Sequence, residues 1–182
     1  MKHRRFILLA SPLLPLLPGC AAVPGDLPPV ALVEHVDVPR FMGDWYVIAN
    51  IPTFLEKGAF NAKDSYRLME DGSIATTFTY NAYAPDGAVK HYSSTGYVLD
   101  PATNAVWGQQ YIWPIKADYR ISYLSADYGE TVITREKRDY VWIMARTPTI
   151  PEADFSRLVA FVGTQGYDTT RLQRVPQSTP QH

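Results

Sequence analysis

The sequence predicts an all-β protein: an eight-stranded antiparallel up-and-down β-barrel with one C-terminal α-helix packed on its outside. Three observations carry that expectation. Short segments rich in β-branched and aromatic residues recur at regular spacing with turn signals between them. Aromatic residues make up 13% of the 182-residue chain, with 12 Tyr and 4 Trp, which excludes disorder and suits pleated, half-buried surfaces. Helical periodicity is confined to one stretch after the last strand.

The first strand is Asp44 to Ile51, followed by a long loop, Thr53 to Asn61, rich in Phe, Gly and charge. Ala62 to Met69 is the second strand, and Asp71-Gly72 supplies a two-residue hairpin turn into Ser73 to Tyr83. On that third strand Ile74, Thr76, Phe78 and Tyr80 share one face. Asp86-Gly87 turns the chain into Ala88 to Leu99, and Asp100 to Asn104 turns it again. Ala105 to Trp113 places Trp107, Tyr111 and Trp113 on one face with Gln109 between them, and Pro114 ends it because proline donates no ladder bond. Ala117 to Ser125 alternates Tyr119, Ile121 and Tyr123 with Arg120, Ser122 and Leu124. Thr131 to Arg135 and Tyr140 to Arg146 form a last hairpin.

Closing this meander removes the exposed edges that eight half-apolar strands otherwise present. Eight strands also leave an interior wide enough for one small ligand. The helix begins at Pro151, with Glu152 and Asp154 where the helix dipole favours negative charge. Phe155, Leu158, Val159 and Val162 form its apolar stripe, and Gly163 or Gly166 stops it. Leu172 to Val175 reads as a short final strand, and residues 177–182 as a loose tail.

The N-terminus is organised differently. Met1 to Arg5 is basic, and Phe6 to Gly19 is a leucine-rich run too short to span a bilayer as a helix. It leads to Cys20, the single cysteine, which cannot form an intrachain disulfide. The run Leu17-Pro18-Gly19-Cys20 resembles a bacterial lipoprotein signal, which implies removal of residues 1–19 and a diacylglyceryl group on the Cys20 thiol. Residues 20–37, with Pro24, Pro28 and Pro29, then read as a stiff tether. Extended at ~3.1 Å per residue, it reaches ~50 Å at most. The alternative is an N-terminal arm partly docked on the domain, residues 38–176.

Without Lys2, Arg4 and Arg5, 14 basic residues stand against 18 acidic ones, a formal charge of −4. No basic stripe exists to neutralise phosphates, which argues against nucleic acid as partner. No zinc, phosphate-loop or nucleophile-elbow motif occurs, so neither a metal nor a cofactor is expected.

Three separated motifs carry a resemblance. Gly43-Asp44-Trp45-Tyr46 opens the first strand as a G-x-W element, Asp127-Tyr128 lies between the sixth and seventh strands, and Arg146 ends the eighth. In this order and spacing, over about residues 36 to 176, they resemble the lipocalins, especially the bacterial outer-membrane and apolipoprotein D members. The resemblance implies that Trp45 lies across the closed end of the barrel with Arg146 stacked on it, as a structural lock. It also implies a non-enzymatic, lipid-anchored outer-membrane protein that stores or transports a small hydrophobic ligand. A fatty acid or a lysophospholipid is the expected partner.

The candidate lining is Phe78, Tyr80, Trp107, Tyr111, Trp113, Tyr119, Ile121 and Tyr123, with Phe54 and Phe60 of the long loop as a lid. A register slip of one residue would turn any of these outward. Burial of a ~14-methylene chain supplies ~11 kcal/mol, enough for micromolar binding after the costs of association. Two other readings stay open: a barrel packed solid as an interaction module, and a lipid-acting enzyme. The enzyme reading leans on His91, which shares a strand face with Ser93, and on Asp64, placed inward or at the barrel mouth. A homodimer through the mouth is also open, with no seam in the sequence to mark it.

Overall fold

The computed structural model describes residues 27–178. The predicted signal segment, Cys20 and the last four residues of the tail lie outside them.

Eight strands form the barrel: β1 (Gly43–Ile51), β2 (Ala59–Leu68), β3 (Ile74–Ala82), β4 (Val89–Val98), β5 (Val106–Ile112), β6 (Ile115–Leu124), β7 (Glu130–Thr134) and β8 (Val141–Ala145). Each pairs antiparallel with the next, and β8 returns to β1 to close the sheet. The predicted strands thus all form, with ends displaced by up to three residues. The largest change is at β2, which begins at Ala59 and takes Phe60 out of the expected loop.

β1 is shared between neighbours. Its first half, Gly43 to Tyr46, pairs with β2, and its second half shifts register near Ile48 and leaves β2. A ninth strand, β9 (Gln173–Arg174), pairs there with Ala49 and Asn50. Gln177 continues the patch, its Nε2 donating to Val47 O at 2.9 Å and Ala62 O at 3.0 Å. Ser178 N reaches Asn61 Oδ1 at 2.6 Å. Gln177 and Ser178 are therefore not loose tail: Gln177 supplies donors to backbone carbonyls that the split between β1 and β2 leaves open, and Ser178 binds the Asn61 side chain.

The helix α2 (Glu152–Thr164) follows β8, with Pro151 as its N-cap residue rather than its first helical residue. Gly166, at φ +83°, lies just beyond its end and makes the left-handed exit that residues with a Cβ resist. Leu158 and Val162 are fully buried against the outer side of the barrel, with Ile48, Val132 and Ile143 in the same cluster.

Of the two readings of the N-terminal segment, the described residues follow the docked arm and not the free tether. Residues 28–37 lie on the barrel. Arg138 donates to Pro28 O, Val33 N donates to Ile121 O at 3.1 Å, and Val36 N donates to Thr103 O at 2.8 Å. Val30 and Val36 are buried. The prolines set an extended backbone, and the valines between them bury enough apolar surface to hold it down. A short helix, α1 (Val38–Phe41), ends this arm, capped by Asp37 Oδ1 accepting from Arg40 N at 3.2 Å.

Candidate functional site

α1 closes one end of the barrel. It drives Phe41 into the bore, where its ring meets Trp45 at 4.9 Å, Trp107 at 5.4 Å and Tyr66 at 5.7 Å between centroids. Trp107 stacks on Tyr119 at 5.4 Å. These rings, with Ile121, make a solid aromatic floor in which Phe41, Trp45, Trp107 and Ile121 are fully buried.

The floor is locked from outside by Arg146. Its guanidinium carbon lies 3.8 Å over the Trp45 ring. Nη1 donates to Asp44 O at 2.9 Å, and Nη2 to Arg40 O at 3.1 Å and Phe41 O at 3.0 Å. Trp45 Nε1 donates to Phe41 O at 2.9 Å. Gly43 sits at φ +96°, and a Cβ there would lie 3.3 Å from Arg146 Nη1, so the G-x-W glycine gives the guanidinium room. Asp127 Oδ1 accepts from Ser125 Oγ and Gly129 N, shaping the turn that carries Tyr128 at φ +62°. The Tyr128 hydroxyl accepts from Asp37 N at 2.9 Å and ties that turn to the arm.

Above the floor lies a cavity of about 600 Å³. Phe78, Tyr111, Tyr119, Ile133, Trp142 and Met144 supply much of its wall, and Phe54 and Leu55 stand at the other end, where the β1–β2 loop crosses the mouth. Glu56 anchors that loop: Oε1 accepts from Trp142 Nε1 at 2.6 Å and Oε2 from Thr53 N at 2.7 Å.

The structure brings Phe54, Phe78, Tyr111 and Tyr119 to the cavity and sends the other six candidates elsewhere. Trp107 and Ile121 are part of the floor beneath it. Tyr80 is buried beside Phe78, and its hydroxyl donates to Leu55 O at 2.9 Å, so it pins the loop. Phe60 pairs with Asn81 in β2 and is no lid. Trp113 follows the end of β5 and is 83% exposed at the tip of the β5–β6 hairpin. Tyr123 faces outward against Phe161 of α2, at 5.6 Å. The reason is a bulge: Ile121 opposes Ile133 but Tyr123 opposes Val132, so the inward alternation of β6 reverses at Ser122.

His91 and Ser93 are exposed on β4. Asp64 faces inward, though not at the mouth. It opposes Trp45 on β1 and Phe78 on β3, one inward position above Tyr66 of the floor. Burial, with Glu56 repelling it across the cavity, pushes its carboxyl up to about 8, offset in part by a hydrogen bond from Tyr66.

Sequence reasoning missed Tyr66, Gln109, Glu56, Trp142 and Met144 as lining residues. Tyr66 shares the strand parity of Asp64, and Gln109 that of Trp107, so alternation alone would have found both. Glu56 sits in a loop, where no periodicity applies. Among the described residues no group of side chains is arranged to hold a metal ion.

A closed antiparallel barrel, sealed at one end and hollow above the seal, defines a calyx-type binding protein. Residues 36–177 match the lipocalin-like domain family, and the chain belongs to the lipocalins. It is 29% identical over 156 residues to temperature-induced lipocalin-1 of Arabidopsis thaliana, covering 81% of this chain and 82% of that one. To the outer membrane lipoprotein Blc of Escherichia coli K12 it is 28% identical over 149 residues, covering 81% and 83%. Insecticyanin from the tobacco hornworm Manduca sexta shares the fold, with a TM-score of 0.66 at 12% identity over 86% of this chain and 88% of that one.

Proposed function

We propose that this lipocalin is an envelope lipoprotein that carries or stores one long-chain lipid, of the fatty acid or lysophospholipid class, in its calyx. The cavity is the observation that carries the reading: about 600 Å³, blind at one end, with a wall whose exposed surface is mostly apolar. The same open space weighs against a barrel packed solid.

Anchoring through Cys20 is supported by the signal-like N-terminus and by the outer-membrane lipoprotein among the relatives. The course of the arm supports a particular orientation. Pro28 is bonded to Arg138, in the β7–β8 turn at the open end, and only seven residues separate Cys20 from Pro28. At that end Ile112, Trp113 and Ile115 stand exposed beside Lys116, an apolar tip with a flanking cation. A lipid bilayer is its proposed partner, so that the mouth lies near the surface from which cargo enters.

Native mass spectrometry of the protein extracted from envelopes, followed by lipid extraction, tests the reading. About one acyl lipid per barrel, and a diacylglyceryl mass increment on the chain, are expected. Cys20→Ser should move the protein from the membrane to the soluble fraction. An empty barrel that takes up neither oleate nor lysophospholipid would overturn the carrier reading.

A further inference from the structure

The lower calyx is not apolar. On the inward face just above the aromatic floor, five adjacent strands each contribute a polar side chain. Tyr66 and Tyr119 hydroxyls lie 2.9 Å apart, Gln109 Nε2 is 3.4 Å from Thr76 Oγ1, and Ser94 Oγ donates to Gln109 Oε1 at 3.2 Å. Asp64 stands on this belt, half-buried and facing the cavity.

The belt members satisfy one another, but Asp64 is short of donors. A carboxylate offers about four acceptor sites, and the Tyr66 hydroxyl near it is engaged with the Tyr119 hydroxyl at 2.9 Å. Among the lining residues Arg135 is the cation. It stands on the β7–β8 turn at the mouth, facing Asp139 at 3.4 Å and lying over Tyr140 at 5.3 Å. Among the lining residues no other cation stands at the level of Asp64. Of the other two lining carboxylates, Asp118 is paired with Arg120 at 2.9 Å, and Glu56 adds to the negative field.

From this arrangement we infer that the calyx is selective for amphiphiles whose inner end donates hydrogen bonds, a primary amine foremost, seated head-inward on Asp64. The inference rests on the carrier reading of the calyx and departs from the fatty acid and lysophospholipid class in the head group it selects. A methyl terminus pushed to the floor would leave the carboxyl dry and unpaired. A carboxylate head would meet Glu56 as a like charge, and would oppose the loss of the proton that Asp64 holds, in a poorly solvated site. An ammonium supplies three donors and the missing opposite charge, and a hydroxyl supplies one donor and no charge.

The test uses three ligands that differ only at the head: dodecylamine, dodecanol and dodecanoate. Each displaces N-phenyl-1-naphthylamine from the full chain carrying Cys20→Ser, below its micellar concentration and at pH 7. Dodecylamine is expected to bind about tenfold or more tighter than dodecanoate, with dodecanol between them. Asp64→Asn should bring amine and carboxylate to within about threefold. The rank order in the chain with Asp64 intact needs no folded Asp64 variant.

Dodecanoate binding as tightly as dodecylamine would overturn the inference and leave the carrier reading standing. Collapse of the preference in Glu56→Gln but not in Asp64→Asn would place the head at the mouth and overturn it as well. Failure of the chain to take up the naphthylamine probe or any of the three ligands would remove the carrier reading, and the inference with it.

Discussion

Arg146 and Asp64 lie on opposite sides of the aromatic floor, and the fold treats their charges differently. Arg146 is surrounded by backbone carbonyls and the Trp45 face, so its charge is solvated by the protein. Removing it by Arg146→Ala leaves those carbonyls short of donors and uncovers the ring. A loss of about 2–4 kcal/mol in urea unfolding is expected, against under about 0.5 kcal/mol if the contact were ornamental. Asp64 has no such compensation. Its folded value, about 8, is above its ordinary 3.8, so the folded state holds a proton that the unfolded chain has released between these limits. Its contribution is fully present below the lower value and is lost as pH rises through the higher one. Stability should therefore fall with pH relative to Asp64→Asn, by at most about 1.4 kcal/mol per pH unit. Parallel stability curves for the two proteins between pH 5 and 8 would contradict this.

At the scale of elements, the short pieces decide how the barrel is used. α1 converts an open tube into a cup by seating Phe41, and the β1–β2 loop, pinned by Glu56 and Tyr80, borders the mouth. The β5–β6 hairpin extends beyond that mouth, and its tip buries little of its own apolar surface. Replacing Ile112 and Trp113 by Ser should leave the melting temperature almost unchanged, since neither side chain is packed. Association of the Cys20→Ser chain with phosphatidylethanolamine–phosphatidylglycerol vesicles should fall severalfold, in line with lost transfer of two large side chains. Unchanged vesicle binding would show that the tip does not meet the bilayer. The bulge in β6 is the other deciding element. It turns Tyr123 toward α2, where Arg157 Nη1 donates to its hydroxyl at 2.8 Å, and so helps fix the helix on the outer wall.

For the whole molecule, period-two alternation and turn residues in the sequence determined the number, order and antiparallel pairing of the strands, because each half-buried strand must present one apolar face. Helical spacing likewise determined α2, whose buried Leu158 and Val162 belong to the predicted stripe, whereas the short α1 was not legible. The G-x-W, Asp-Tyr and arginine motifs located the closed end, since each serves a local geometry that few other residues satisfy. The boundary between floor and cavity was decided only by the tertiary structure. Trp107 and Phe78 both face inward, yet the former is covered by Phe41 and the latter borders open space, a distinction of height along the barrel that alternation does not encode. Bulges are equally hidden: one extra residue in β6 reverses parity without any change in composition. Docking of residues 28–37 and of Gln177 depended on partners distant in the chain, such as Arg138, Ile121 and Val47. The place of Asp64 on a buried polar belt likewise emerged only when five strands came side by side, because a carboxylate's solvation is a property of everything around it.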